Sequence, residues 1–547
     1  MKKETLFCSV LVIGGGAAAI RAAIAARESG IPDVLIAIKS KLGKGGATYY
    51  PLSYGWGIQA ATAEKDPTDN PDEHYQDIIN AAQGMCNPIL ARALADDAPK
   101  RVMDLGTKLG LELDRNHDGA HVQVRGCYAG KERCYQATGV PKIINAVKKS
   151  IFQYGLKTLE DVMILDLIVK DGRCCGAFGI SKTGEIYTIH AKAVIIATGG
   201  GTGIYQYNFA TQEMTGDGYA LALRAGCKLL NLEFIQFGWG LLKPLNKVPF
   251  LDRILFLNPK ISGIPPEFIP LLKQRAKHFP FTVSDGSYPL DVAIFKHFRQ
   301  NHQGISLDIS KFTPEDLAQV SLWKMWYEWF DAANDPLKQP LELNIFAHAF
   351  NGGILIDENA QTQISGLFAA GEVAAGPHGA DRLGGNMHAA CQVFGARAGA
   401  NAAKYAASQE YTDFTGNKII PDSISPSFID LNEMTHLKMM IPRLMWENVS
   451  VCRSDSSLNI AWTEISKLYR NLPPLTVNPH SWGLYELYNI AQVALAVIGS
   501  SLMRKESRGC HYREDFPNKN QQNDMIQIGL NKGEIEHTQY ILPTDLP

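Results

Sequence analysis

An α/β fold organised around a nucleotide cradle is predicted by two glycine-rich strand ends and by a further short strand lying between them in the chain. The first strand end is Val10 to Ala19, VLVIGGGAAA. Four apolar residues run into three glycines and three alanines, and Ile20, Ala22, Ala23 and Ala26 continue at helical spacing, so strand, tight turn and helix follow one another. Gly14 allows the turn, and Gly16 lets backbone approach a pyrophosphate. Ala19 stands third in the G-x-G-x-x-G/A pattern, where a small residue lets helix pack on strand. The N–H groups that open the helix face the phosphate charge. The second strand end is Ala191 to Thr202, AKAVIIATGGGT, a buried strand that runs through Ala197 and Thr198 into a second triple glycine starting at Gly199. Two such turns suit a large ligand gripped from two sides.

The strand between them is Asp33 to Ile38, DVLIAI. A nicotinamide dinucleotide site normally places Asp or Glu at the end of this strand to hold a ribose hydroxyl. Lys39 and Ser40 stand there instead, which argues against NAD. Gly43, Gly45 and Gly46, followed by Ala47 and Thr48, give a backbone able to fold closely around something flat. Helical segments run from Asp77 to Leu113 and from Ile143 to Tyr154, with a polar loop at His117 to Gln136 between them. Met163 to Val169 and Gly176 to Ile180 read as strands joined at Asp171-Gly172. Asp217 lies just ahead of a helix, as a cap that can also reach a ligand hydroxyl. The central region opens with scattered prolines and then predicts helices at Leu290 to Gln300 and Glu315 to Ala332. Trp323, Trp326 and Trp329 share one face of the latter, as a core stripe. Helices close the chain at Leu431 to Asn448, Asn459 to Leu472 and Leu484 to Met503, with a break at Pro473-Pro474.

Composition narrows the function. The 547 residues carry 53 Lys and Arg against 55 Asp and Glu, so no field exists to gather nucleic acid or an acidic membrane. The start, MKKETLFCSV, runs straight into the cradle strand, and no uninterrupted apolar run approaches the ~18 residues of a membrane span. The best, Ala491 to Met503, is broken by Gly499, Ser500 and Ser501. A cytoplasmic protein is expected, with any membrane link made through a partner. Ten cysteines show no metal-ligand spacing, so no metal is expected. Cys174 and Cys175 are neighbours on a strand and point to opposite faces, whereas Cys127 and Cys134 flank a loop that could hold a reactive thiol.

Further blocks recur in one order: TGDGYALALRAG, LEFIQF, HAFNGGILID, GLFAAGEVAAGPHGADRLGGN, VFGARAG and ESRGCHYREDFP. With the two glycine turns they make the chain resemble the flavoproteins of the fumarate reductase, succinate dehydrogenase and L-aspartate oxidase superfamily. The resemblance implies a Rossmann-like FAD-binding domain in two parts, 1–237 and 345–408, an inserted α+β capping domain at 238–344, and a C-terminal helical region at 409–547. It implies FAD held by Gly14, Gly16, Ala19, Lys39, Ser40, Gly45, Gly46, Ala47, Thr48, Ala197, Thr198, Gly199, Asp217, Glu372, Arg382, Asn386 and Met387. GKGGATYY contains no histidine for covalent attachment, so the FAD is expected to be non-covalent.

In that superfamily hydride passes between flavin N5 and a carbon of a carboxylate substrate, and a cap arginine moves the second proton. His348 falls on one substrate histidine and Arg382 on the anchoring arginine, a pairing suited to one carboxylate. Gly238-Trp239-Gly240 replaces the His-Pro-Thr that holds the far carboxylate, and Leu290 replaces the proton arginine. Arg253, Arg275, Lys296 and His297 are left as candidates for its role. Trp239 suggests a roomier, apolar far side, and His388, where relatives carry leucine, is a candidate proton donor. The reading favoured is an oxidoreductase acting on a carboxylate other than fumarate or succinate. Two others stay open: a non-catalytic electron-relay subunit of an iron-sulfur complex, and a soluble L-aspartate oxidase-like enzyme.

Overall fold

The computed structural model describes residues 2–412, 430–475, 477 and 481–540, so parts of the region expected at 409–547 lie outside the described residues. A seven-stranded sheet forms the base. Its order is Lys157–Leu159, Val34–Ala37, Lys3–Ile13, Ile186–Ile196, Arg173–Ser181 and Val162–Lys170, and Leu367–Ala369 also pairs with Ile186–Ile196. Lys3–Ile13 lies parallel to Val34–Ala37 on one side and to Ile186–Ile196 on the other, with Ile13 level with Ile196. Both glycine turns therefore leave the same edge of the sheet side by side, where the sequence pattern alone suggests a grip from two sides. Parallel strands need covering on both faces, and helix Ala17–Glu28 lies buried between this sheet and the long helix Asn386–Ala407. Cys174 joins the main core and Cys175 a separate smaller one, as strand alternation requires.

The inserted unit is carried on two long antiparallel strands, Ile235–Lys243 and Leu341–Phe350. They anchor a five-stranded sheet with Val248–Pro249, Ile305–Asp308 and Lys260–Ser262. Helix Tyr288–Asn301 forms where expected, but the helix expected at Glu315 to Ala332 does not. Two short helices replace it, Pro314–Ala318 and Trp323–Tyr327, separated at Leu322, whose φ is +68°. Such a conformation costs about 1 kcal/mol or more. It turns Trp323 and Trp326 inward, and the Trp326 indole donates to Pro249 O at 3.0 Å.

Three C-terminal helices, Leu431–Val449, Asp455–Asn471 and Ser481–Met503, match the expected ones. The third meets the length and mean hydropathy of a membrane span although no uninterrupted apolar run in the sequence does, because its Gly and Ser residues do not interrupt a helix. Within the fold, 78% of its most apolar window is buried. The C-terminal region is not purely helical. Met525–Asn531 and Glu534–Tyr540 form a hairpin that joins Leu229–Leu230 and Gly353–Ile354 in a four-stranded sheet. Its turn residues, Lys532 and Gly533, both have positive φ, as a two-residue hairpin turn demands.

Candidate functional site

A cavity of about 560 Å³ opens beside the paired turns and extends beneath the inserted unit. Gly14 shows why the cradle needs glycine: its φ is +124°, and a Cβ there would overlap the carbonyl of Ala197 in the neighbouring turn. Gly16, Lys39, Ser40, Gly45, Gly46, Ala47, Thr48, Ala197, Thr198, Gly199, Asp217, Glu372 and Met387 all reach the wall. Ala19 and Asn386 do not. Ala19 is fully buried in the packing of helix on sheet, and Asn386 turns its Oδ1 to accept from His74 Nε2 at 2.9 Å.

Asp217 is the first residue of its helix and makes no side-chain cap, in contrast to the sequence expectation. Its carboxylate instead accepts from Lys39 Nζ at 2.7 Å, Thr215 Oγ1 at 3.0 Å and Asn489 Nδ2 at 2.8 Å. Lys39 also pairs with Glu486 of the C-terminal region at 2.7 Å. Burial alone would lower the lysine's pKa, but the two carboxylates hold it above the ordinary value. Burial pushes Glu372 up to about 7, although its carboxylate accepts from Phe350 N at 3.0 Å. Among the described residues, Thr198 Oγ1 and His388 Nδ1 are buried on the cavity wall with no hydrogen-bond partner. Orphaned polar atoms of this kind are groups a ligand would complete.

His348, Arg382 and His388 line the same cavity. The Arg382 guanidinium donates through Nε at 3.1 Å and Nη2 at 2.7 Å to Gln236 Oε1, and through Nη1 at 3.0 Å to Leu383 O. Among the described residues, two of its N–H groups are thus left for a ligand. His348 meets the ring edges of Phe279 and Phe209, at centroid distances of 5.1 and 6.3 Å. His388 stacks on Trp56 at 5.1 Å. Burial, then the charge of Arg382, then His388 push His348 down to about 3, and burial and Arg382 push His388 down to about 4. Both rings are therefore neutral near pH 7, so neither serves as a cationic acid in the free chain. We expect selectively labelled histidine NMR of the flavin-free protein to show neither ring titrating between pH 8 and pH 5. An unfolded histidine takes a proton near pH 6.5. The stability these two rings contribute is therefore present above that pH and lost as the pH falls below it.

Trp239 is not on the cavity wall, and the idea of a roomier far side built on it falls. Along Ile235–Lys243 side chains alternate, and Gly238 and Gly240 take the face toward Phe279, Phe209 and Phe346, which fill the space a Cβ would enter. Trp239 points the other way, where its indole donates to Asp291 Oδ1 at 2.8 Å. Leu290 is fully buried in the inserted unit. Of the four candidates to replace the missing arginine, Lys296 pairs with Glu514 and His297 contacts Asn301, both away from the cavity. Arg253 reaches the cavity wall and Arg275 lies buried off it. Sequence reasoning misses Asp252, which does line the cavity. The thiol of Cys127 is also on the wall, but burial raises its pKa and leaves it poorly reactive. Among the described residues no group of three or more His, Cys, Asp or Glu is placed to hold a metal ion.

Residues 9–387 match the FAD binding domain family, which covers more than half of the chain. The chain belongs to the FAD-dependent oxidoreductases of the fumarate reductase and L-aspartate oxidase family. Residues 438–538 match a second family, the fumarate reductase flavoprotein C-terminal region. The chain is 33% identical to a fumarate reductase (CoM/CoB) subunit of Methanothermobacter marburgensis, over 94% of this chain and 96% of that one. It is 30% identical to an L-aspartate oxidase of Synechocystis, over 93% and 94%. Its fold matches the Mycobacterium smegmatis Sdh1 complex with a TM-score of 0.83 at 27% identity, covering 100% of this chain and 95% of that one. FAD is the cofactor of this family of oxidoreductases, and the residues present fit it. The adjoining turns at Gly14 and Ala197 are shaped for a dinucleotide, and the unpartnered Thr198 and His388 atoms await one.

Proposed function

We propose that this FAD-dependent oxidoreductase reduces or oxidises a carbon–carbon bond beside a carboxylate, on a substrate other than fumarate or succinate. The observation that carries this reading is the pairing of neutral His348 with Arg382 on one cavity wall, while the place of the second clamp is filled by Phe279 and Phe209. Arg382 and His348 would hold one carboxylate and draw charge from the reacting bond. The aromatic wall favours an apolar group over a second carboxylate. When bound, FAD supplies the hydride chemistry. Arg125, Arg253 and Lys277, exposed at the cavity, favour the approach of an anion.

The test is anaerobic reoxidation of the dithionite-reduced protein by fumarate, crotonate and cinnamate, with L-aspartate offered to the oxidised protein. Crotonate or cinnamate is expected to reoxidise the flavin at least tenfold faster than fumarate. Faster reaction with fumarate, or reduction by L-aspartate, would overturn the reading. The buried leucine at position 290 supports a second reading, an electron-relay subunit, for which no acid in the panel would react while an iron-sulfur partner would. In either case we propose an iron-sulfur partner, because one relative is named as a component of a fumarate reductase and a matching fold comes from an Sdh1 complex, and we propose that any membrane contact runs through that partner. The FAD is held without a covalent link. Heat-denatured protein should release all its yellow colour to the supernatant, and colour retained in the pellet would disprove this.

A further inference from the structure

We propose that Asp252 is the acid that delivers the second proton to the substrate, with Arg275 and Asp291 as positioning residues behind it. The inference rests on the carboxylate-substrate reading above. Asp252 lies on the cavity wall and is 7% exposed. Its Oδ1 accepts from Arg275 Nη1 at 3.0 Å, and its Oδ2 accepts from no other side chain among the described residues.

Arg275 cannot play the part itself. It is completely buried and off the wall, its Nε faces both oxygens of Asp291 at 3.1 and 3.0 Å, and its remaining bonds run to Asp252 and to the carbonyls of His278 and Phe279. One guanidinium is thus shared by two carboxylates, and Asp291 also accepts from the Trp239 indole. Asp252 takes the smaller share. Burial pushes its carboxyl up to about 7 against the pull of Arg275, so it is poised to hold and release a proton near neutrality.

Its place relative to the anchor follows from shared neighbours. Phe279, whose carbonyl accepts from Arg275, sets its ring edge-on to His348 and donates its N–H to Cys127 Sγ at 3.4 Å. The Cys127 thiol feels the charges of both Asp252 and Arg382. Asp252 and the carboxylate anchor thus face one space across Phe279. In reduction of an unsaturated acid the π bond breaks, one carbon takes the proton held by Asp252, and the other takes the hydride that bound, reduced FAD would supply. The Asp252 carboxylate that remains is reprotonated from solvent at the open mouth. Dithionite, or a low-potential partner in the cell, provides the two electrons.

The test uses the full-length holoprotein and whichever acid of the panel reoxidises it fastest. Asp252→Asn is expected to lower the rate at saturating acid by about 10²- to 10³-fold, with flavin content and dithionite reduction unchanged. Asp252→Glu should retain a tenth or more of the rate. The wild-type rate should fall as pH rises through about 7, and this inflection should vanish in Asp252→Asn. The groups facing Asp252 are Arg275, His278, Asp291, Tyr54 and Cys127, and none is changed by the substitution. A readout independent of turnover is the infrared band of a protonated carboxyl in flavin-free protein. The part of that band lost between pH 6 and pH 8 should be clearly smaller in Asp252→Asn, where Glu372 and Asp381 still contribute but Asp252 does not. An active wild type with Asp252→Asn unimpaired, or an unchanged carboxyl band, overturns the assignment to Asp252 alone. A wild type that reacts with no acid overturns the reading beneath it as well.

Discussion

Arg382→Ala should give a protein that folds and keeps its flavin but loses about a thousandfold or more in kcat/KM toward its acid, a loss of about 4 kcal/mol in transition-state binding. Arg382 is 7% exposed, and burial lowers its pKa from the ordinary value. Its charge is therefore held at a cost that the neutral acceptors Gln236 and Leu383 only partly offset. Alanine removes that cost, so the thermal midpoint should hold or rise while turnover collapses, the signature of a group kept for function rather than stability. Arg382→Lys keeps the charge but not the two-pronged donor, and should recover only a small part of the activity. Because Arg382 depresses both His348 and His388, the alanine variant should also move their titrations upward, toward the ordinary histidine range. Activity within tenfold of wild type would refute the anchoring role.

The largest effect on stability is expected from Glu506→Ala. Glu506 accepts from Arg504 Nη1 at 2.8 Å and Arg508 Nε at 2.9 Å on one oxygen, and from Arg508 Nη2 at 2.9 Å and Asn520 N at 2.8 Å on the other. Both arginines are buried, and Glu233 remains as the other carboxylate on Arg504, at 2.6 Å. Removing Glu506 strands a buried guanidinium and should cost about 3–5 kcal/mol, seen as a lower denaturation midpoint in urea. Burial would raise the Glu506 pKa, but its arginine and backbone donors hold it below the ordinary glutamate value. Its contribution is therefore complete above about pH 4.5 and disappears as the pH falls through the depressed value. A midpoint unchanged at pH 7 would show that the cluster rearranges around the loss.

Much of this is legible from residue types alone, and the limits have physical causes. The cradle is readable because Gly14 and Ala19 meet a local demand for backbone space. His348 and Arg382 can be placed because they sit in short blocks whose neighbours fix them. Trp239 misleads, although strand parity holds the answer: if position 238 faces the ligand, position 239 must face away. The helix through Trp323 and Trp329 comes out too long because a stripe of tryptophans cannot reveal that Leu322 turns left-handed to bury two of them. The C-terminal hairpin escapes the sequence reading though its signal is present, as MIQIGLN and EIEHTQY alternate around Lys532-Gly533. Asp252 and Arg275 cannot be paired in advance, since their partnership depends on how an irregular, proline-rich segment folds back on itself.

The ESRG block also touches the loop that bears the anchor: Cys510 N donates to Ala380 O at 3.0 Å, while Gly509 O accepts from Val283 of the inserted unit at 2.9 Å. A growing polypeptide can form its first glycine turn early, but Lys39 and Asp217 wait for Glu486 and Asn489, and the seam between the anchor loop and the inserted unit closes only when the tail arrives. Cutting the chain just before Gly509 would then unfasten the anchor loop from the inserted unit while leaving the two glycine turns side by side.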